Sequence, residues 1–269
     1  MIKYIAEIGW NFVGELDLAK EMIQHANKSG ANVIKFQYWN PKRLKSGAWD
    51  EDGRREIYEK AYLDKSKILE LKAEVESLGS DFLISVFSKK DAVYINDLGI
   101  EAIKVPSHES HNIDLIEYCC KSFKDIYLSV GACTEDELKK VLDVTELYES
   151  NIVLMHCVSS YPLNNENANL KRISYLKLLT KHKVGYSDHT ESLIAPCAAL
   201  ALGASAIEKH FTTDNNLPGR DNKFALNSEN FLKMISNCKE TEQLLKWKGV
   251  SYQDIETDIV QNYRGRWDN

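Results

Sequence analysis

Eight times along 269 residues, a short apolar run rich in β-branched and aromatic residues is followed by a run with helical spacing. The strand-like runs are residues 2–8, 32–38, 82–87, 102–105, 126–130, 152–158, 184–187 and 206–210. Helical runs follow at 16–28, 66–78, 89–98, 113–122, 135–148, 170–179, 193–202 and 228–245, with Ser228 as the N-cap expected for the last. A strand–helix unit of about thirty residues is the length of a right-handed parallel crossover, and eight such units predict a (β/α)8 barrel, an α/β fold with a closed parallel sheet. An open doubly wound sheet is the competitor. Its first turn would carry a glycine-rich fingerprint, but the first turn here, Gly9-Trp10-Asn11-Phe12-Val13-Gly14, lacks that spacing.

The barrel is expected over residues 1–245, with 246–269 as a tail that either packs under it or leads away. Residues 41–63 show no strand pattern and many charges, with Trp49 and Gly53, and read as a long functional loop with a short helix. Net charge is −6, which gives no electrostatic reason to expect a nucleic-acid partner. No run reaches membrane-spanning length, and Glu7 interrupts the first apolar run, so no signal peptide or membrane association is expected. Six cysteines without a CxxC pair suggest free thiols in a reducing, cytoplasmic setting.

Barrel sites lie at the carboxyl ends of the strands. The polar residues there are Glu7; Lys35 and Gln37; Ser85 and Ser88; Lys104, Ser107, His108 and Glu109; Ser129; His156, Ser159 and Tyr161; Ser187 and His189; Glu208 and His210; and then Arg220 and Asp221. Two lysines on separate strands are costly to bury without a partner. Either they share an anionic, phosphorylated ligand with the serines, or each pairs with an interior carboxylate such as Glu7 or Glu208. His189 and His210, at matching ends of neighbouring strands, can face one space and suit a divalent metal or a phosphoryl group. His156 reads as structural, and Asp188 as a group orienting its neighbour or capping the strand.

Several of these segments resemble the sialic acid synthase family. They are Ile5-Ala6-Glu7-Ile8-Gly9 with Asn11 and Gly14, Ile34-Lys35-Phe36-Gln37, Lys104-Val105-Pro106-Ser107-His108-Glu109 and Leu128-Ser129-Val130-Gly131. His156 to Pro162, Gly185 to Thr190 and Ile207 to Thr212 complete the set, in the family's order over nearly the whole chain. The resemblance implies a barrel enzyme that condenses phosphoenolpyruvate with a sugar aldehyde resembling N-acetylmannosamine. The products would be a 2-keto sugar acid, sialic or another nonulosonic acid, and phosphate. It implies a divalent metal, Mn2+ or Mg2+, on His189 and His210. It implies phosphoenolpyruvate on Lys35, Lys104, Ser107, Ser129 and Ser187, with Ser159 beside them. Glu109 and Asp221 would act near the reacting carbons and the attacking water, and Glu7, Gln37 and Tyr161 in the sugar region.

The sequence departs from the family pattern at Arg220, which adds a charge by the site, at Val86-Phe87, at Pro106 and at Phe12. Family members continue into an antifreeze-like cap that serves a partner's barrel. With the chain ending at Asn269, that cap is expected to be absent, to come from another chain, or not to be needed. A homodimer would then rest on barrel helices. Two alternatives stay open: a related synthase with an unusual acceptor, and a catalytically silent sugar-binding barrel.

Overall fold

The computed structural model describes residues 2–47 and 50–267, so Trp49 lies outside the described residues. Strands β1 (Lys3–Gly9), β2 (Val33–Tyr38), β3 (Asp81–Val86), β4 (Ala102–Val105), β5 (Asp125–Ser129), β6 (Asn151–His156), β7 (Lys183–Asp188) and β8 (Ala206–His210) close into one barrel in sequence order. Every neighbouring pair is parallel, and β8 pairs back onto β1 with Glu7 beside His210. The expected (β/α)8 barrel is therefore the fold.

The helices are α1 (Leu16–Lys28), α2 (Arg54–Lys60), α3 (Lys65–Ser77), α4 (Lys89–Asp97), α5 (Ile113–Ser122), α6 (Glu135–Thr145), α7 (Lys171–Leu179), α8 (Ala195–Ala201), α9 (Ser228–Leu244) and α10 (Thr257–Asn262). Local chemistry sets their starts. Asp64, Ser88, Asn112 and Thr134 accept from backbone N–H groups of α3, α4, α5 and α6, and Thr134 forms a full capping box with Glu137. The cap of α9 is Asn227 rather than Ser228, its side chain accepting from the Asn230 N–H. Either residue type can cap, and the chain takes the one a step earlier. The loop after β2 holds α2, as expected for 41–63. Gly14 seats this helix: a Cβ there would lie 2.3 Å from the Lys60 carbonyl oxygen.

Strand periodicity sorts the side chains into two cores. Ala6, Ile34, Ile84, Ile103, Leu128, Leu154 and Ile207 face out and pack under the helices. Ile5, Val33, Leu83, Tyr127, Val153, Met155 and Ala206 form a separate apolar plug inside the barrel. Two residues further along most strands the interior turns polar, and that layer carries the site. In the tail, Trp247, Val250, Ile255 and Trp267 are all largely exposed.

Candidate active site

Two steps along each strand from the apolar plug stand Glu7, Lys35, Ser85, Lys104, Ser129 and Ser187, with Glu208 closing the ring, all nearly inaccessible to solvent. Lys35 Nζ lies 2.6 Å from Glu7 Oε2, donates to Ser85 Oγ at 3.0 Å and lies 3.7 Å from Glu208 Oε1. Lys104 Nζ donates to Glu208 Oε2 at 2.7 Å, and the Ser187 hydroxyl donates to Glu208 Oε1 at 3.0 Å. Gln37 donates to Glu7 Oε1. Both lysines thus have interior carboxylate partners, which was one of the two readings the sequence left open. The two carboxylates are not equivalent. Burial raises Glu7 to about 7 against the pull of Lys35. Burial also opposes ionisation of Glu208, but Lys104 and Lys35 outweigh it and hold that carboxyl low. Glu208 is the fixed counter-ion, while Glu7 can take up a proton near neutrality.

The imidazoles stand one step higher. His189 and His210 have ring centroids 5.9 Å apart. His189 Nδ1 lies 2.6 Å from the Val158 carbonyl oxygen. A carbonyl can only accept, so Nδ1 carries the proton and Nε2 keeps its lone pair. Burial pushes His189 down to about 4, and burial together with His189 pushes His210 well below the usual range. Both rings are neutral, the form that binds a metal. Among the described residues buried His210 Nδ1 has no hydrogen-bond partner, and it lies 3.6 Å from Asp221 Oδ2. These donors fit a divalent ion of borderline softness. No group of three or more His, Cys, Asp and Glu side chains among the described residues could by itself hold an ion, so most coordination positions would fall to water or substrate.

Asp221 is held from the opposite end of the chain. The Trp10 indole N–H donates to its Oδ2 at 2.6 Å, and burial raises the carboxyl to about 6. Trp10 packs against Tyr58 of α2 and Trp39, with centroids 5.0 and 6.1 Å away, forming an aromatic wall on this side of the mouth. Across from it, Tyr161 lies over His189 at 4.1 Å and contacts His210 and Phe224, both at 5.8 Å. Ser107 and Ser159 share a hydrogen bond of 2.6 Å.

Two of the expected residues are not buried with the floor. Glu109 is half-buried at the rim, its Oε2 accepting from Asn112 Nδ2 at 3.0 Å, and Arg220 is exposed beside Asp221. His156 faces outward, stacked on Tyr186 with Nε2 at 2.8 Å from the Ala168 carbonyl oxygen, and is structural. Sequence reading missed Trp10, Cys157 and Lys209. Cys157 was readable from strand period alone, since it continues the inward series of Val153 and Met155; Gly131 gives it room, as a Cβ there would lie 2.5 Å from its Sγ. Trp10 carried no comparable signal.

Fold and site together define a barrel enzyme with its polar chemistry at the carboxyl mouth of the sheet. A model of the NeuB family matches residues 22–249. The chain is 36% identical over 260 residues to an N,N'-diacetyllegionaminic acid synthase of Campylobacter jejuni, covering 91% of this chain and 77% of that one. It is 30% identical over 252 residues to the N-acetylneuraminate-9-phosphate synthase of Mus musculus, covering 90% and 70%. The crystal structure of an N-acetylneuraminic acid synthetase from Leptospira borgpetersenii in complex with citrate superposes with a TM-score of 0.88 at 30% identity, over 96% of this chain and 90% of that one. The chain belongs to the NeuB family of enzymes.

Proposed function

We propose that the chain condenses phosphoenolpyruvate with an amino-sugar aldehyde to give a 2-keto sugar acid and phosphate. The observation that carries this reading is the layered interior, a lysine–carboxylate–serine floor beneath two neutral imidazoles. Lys35 and Lys104 supply the cationic donors an enol phosphate needs, and Ser107, Ser129, Ser159 and Ser187 supply hydroxyls around them. Their present carboxylate partners keep the lysines charged and aimed until the ligand arrives.

In the reaction, C3 of phosphoenolpyruvate bonds to the aldehyde carbon, and the aldehyde oxygen becomes a hydroxyl. Asp221, raised to about 6, is suited to deliver that proton. Water then adds to C2, losing a proton to Glu109, whose bond to Asn112 leaves its other oxygen available. The C2–O bond to phosphate breaks as the new C2 hydroxyl becomes the ketone carbonyl, its proton passing to the departing phosphate, and Lys35 and Lys104 stabilise the charge that builds on that group. His189 and His210 would hold the divalent ion, whose Lewis acidity polarises the aldehyde; nitrogen donors favour manganese over magnesium. Glu7, Gln37 and Tyr161 border the acceptor, with the Trp10–Tyr58 wall and Arg220 above.

The named relatives make different nonulosonic acids, so the acceptor is assigned here only as an N-acetylmannosamine-like amino sugar. Six free thiols accord with a cytoplasmic reaction, and no described helix is long and apolar enough to cross a membrane. The test is phosphate release from phosphoenolpyruvate with Mn2+ across acetamido and diacetamido hexoses and their phosphates. Release with one acceptor class, lost in His189→Ala, is expected. No release with any sugar, together with parent-like Mn2+ binding by His189→Ala, would overturn the reading.

A further inference from the structure

Lys209 takes no part in the chemistry above, yet it is only 2% exposed. It sits between Glu208 and His210, and strand period turns it the other way, out of the barrel and under the helices. Its ammonium donates to Asp188 Oδ2 at 2.6 Å, to the Thr190 carbonyl, to the Ser192 carbonyl at 3.2 Å and to the Thr190 hydroxyl at 3.4 Å. The other Asp188 oxygen accepts from the Tyr186 hydroxyl at 2.9 Å and from the Thr190 N–H at 2.8 Å. Every acceptor of this one ammonium therefore lies within residues 188–192, the segment that carries His189.

A buried ion pair is a poor source of stability. Its desolvation offsets most of its attraction, and apolar replacement of both partners is often neutral. What the pair does fix is geometry. A lysine rooted in β8 grips the turn that follows β7; that turn carries His189, and β8 ends on His210. The His189 backbone is held from the far side too, its carbonyl accepting from the Leu163 N–H at 2.8 Å.

We propose that Lys209 is a positioning residue: by clamping residues 188–192 onto β8 from outside the barrel, it sets the spacing of His189 and His210 inside it. The clamp stands on geometry alone, and its consequence for metal affinity rests on the metal reading above.

Lys209→Met by itself leaves Asp188 charged and unpaired, a change that destabilises the fold whatever the clamp does. Asp188→Asn/Lys209→Met removes both charges and keeps an acceptor for the Thr190 N–H. Three measurements compare the double variant with the parent: amide hydrogen exchange of peptides spanning 188–192, Mn2+ affinity by calorimetry, and phosphoenolpyruvate affinity without metal. The double variant is expected to fold and to exchange faster at 188–192. Its Mn2+ affinity should fall by about 10–100-fold, the usual cost of losing a group that orients a ligand, and its phosphoenolpyruvate affinity by less than about threefold. Parent-like Mn2+ affinity in the folded double variant overturns the proposal. If the parent itself binds no Mn2+, the metal reading falls separately and exchange decides the clamp: unchanged protection at 188–192 overturns it.

Discussion

Trp10 and Asp221 are 211 positions apart in sequence, yet the indole N–H of one donates to the carboxylate of the other at 2.6 Å over the barrel mouth. The bond joins the turn after β1 to the loop after β8, and the two strands are themselves neighbours in the closed sheet. Removing the donor with Trp10→Phe keeps the ring stack on Tyr58 and frees Asp221. Turnover should fall by about 10–100-fold with the fold intact, in line with a bond to a charged group worth about 1.5–3 kcal/mol; steady-state kinetics beside a circular dichroism spectrum checks this.

Asp221 also makes stability depend on pH. Its folded value is raised from 3.8 to about 6 because burial penalises the charge. A raised carboxyl favours the folded state below its unfolded value, and that contribution is lost as pH rises from about 4 through 6. Asp221→Asn should therefore match the parent near pH 4 and exceed it at pH 8, by at most about 3 kcal/mol. Thermal unfolding of chelator-treated protein at the two pH values measures the difference.

Lys104 and Glu208 form a buried ion pair of the floor, at 2.7 Å. Lys104→Met leaves Glu208 with Lys35 at 3.7 Å as its remaining cation. Unfolding free energy should drop by about 3 kcal/mol, the usual cost of stranding one buried partner. Phosphoenolpyruvate affinity should fall more than the affinity for the sugar. Denaturant titration and separate binding isotherms report the two effects.

Asn112 has two roles, capping α5 through its carbonyl and holding Glu109 through its amide. Asn112→Ala should cost about 1 kcal/mol for the cap and lower turnover. Asn112→Asp should restore the cap but repel Glu109, so stability recovers and activity does not. Chemical denaturation and phosphate release on both variants separate the roles.

Much of this candidate site is legible in the sequence. Period two placed Lys35 beside Gln37 and put His189 and His210 at matching strand ends, because a strand offers only two faces. Pairing was not legible. Lys35 and Lys104 each had two interior carboxylates within reach, and the choice depends on barrel stagger, which no short stretch of sequence encodes. Asn227 displaced Ser228 as a cap for a similar reason: both side chains can accept, and tertiary packing decides. Lys209 was readable in principle, since placing Glu208 inside forces its neighbour outside, but nothing local said what waited there. The Trp10–Asp221 bond depends on barrel closure and had no local signature at all.

The apolar plug of Ile5, Val33, Leu83, Tyr127, Val153, Met155 and Ala206 makes the barrel a vessel with a single opening. Whatever occupies the lysine floor must pass the imidazoles and the aromatic rim on its way in, and anything seated above bars its exit. Traffic through such a vessel is last in, first out. If the proposed reaction runs here, the enol phosphate would load before the sugar, and the phosphate formed at the floor would wait behind the longer keto acid.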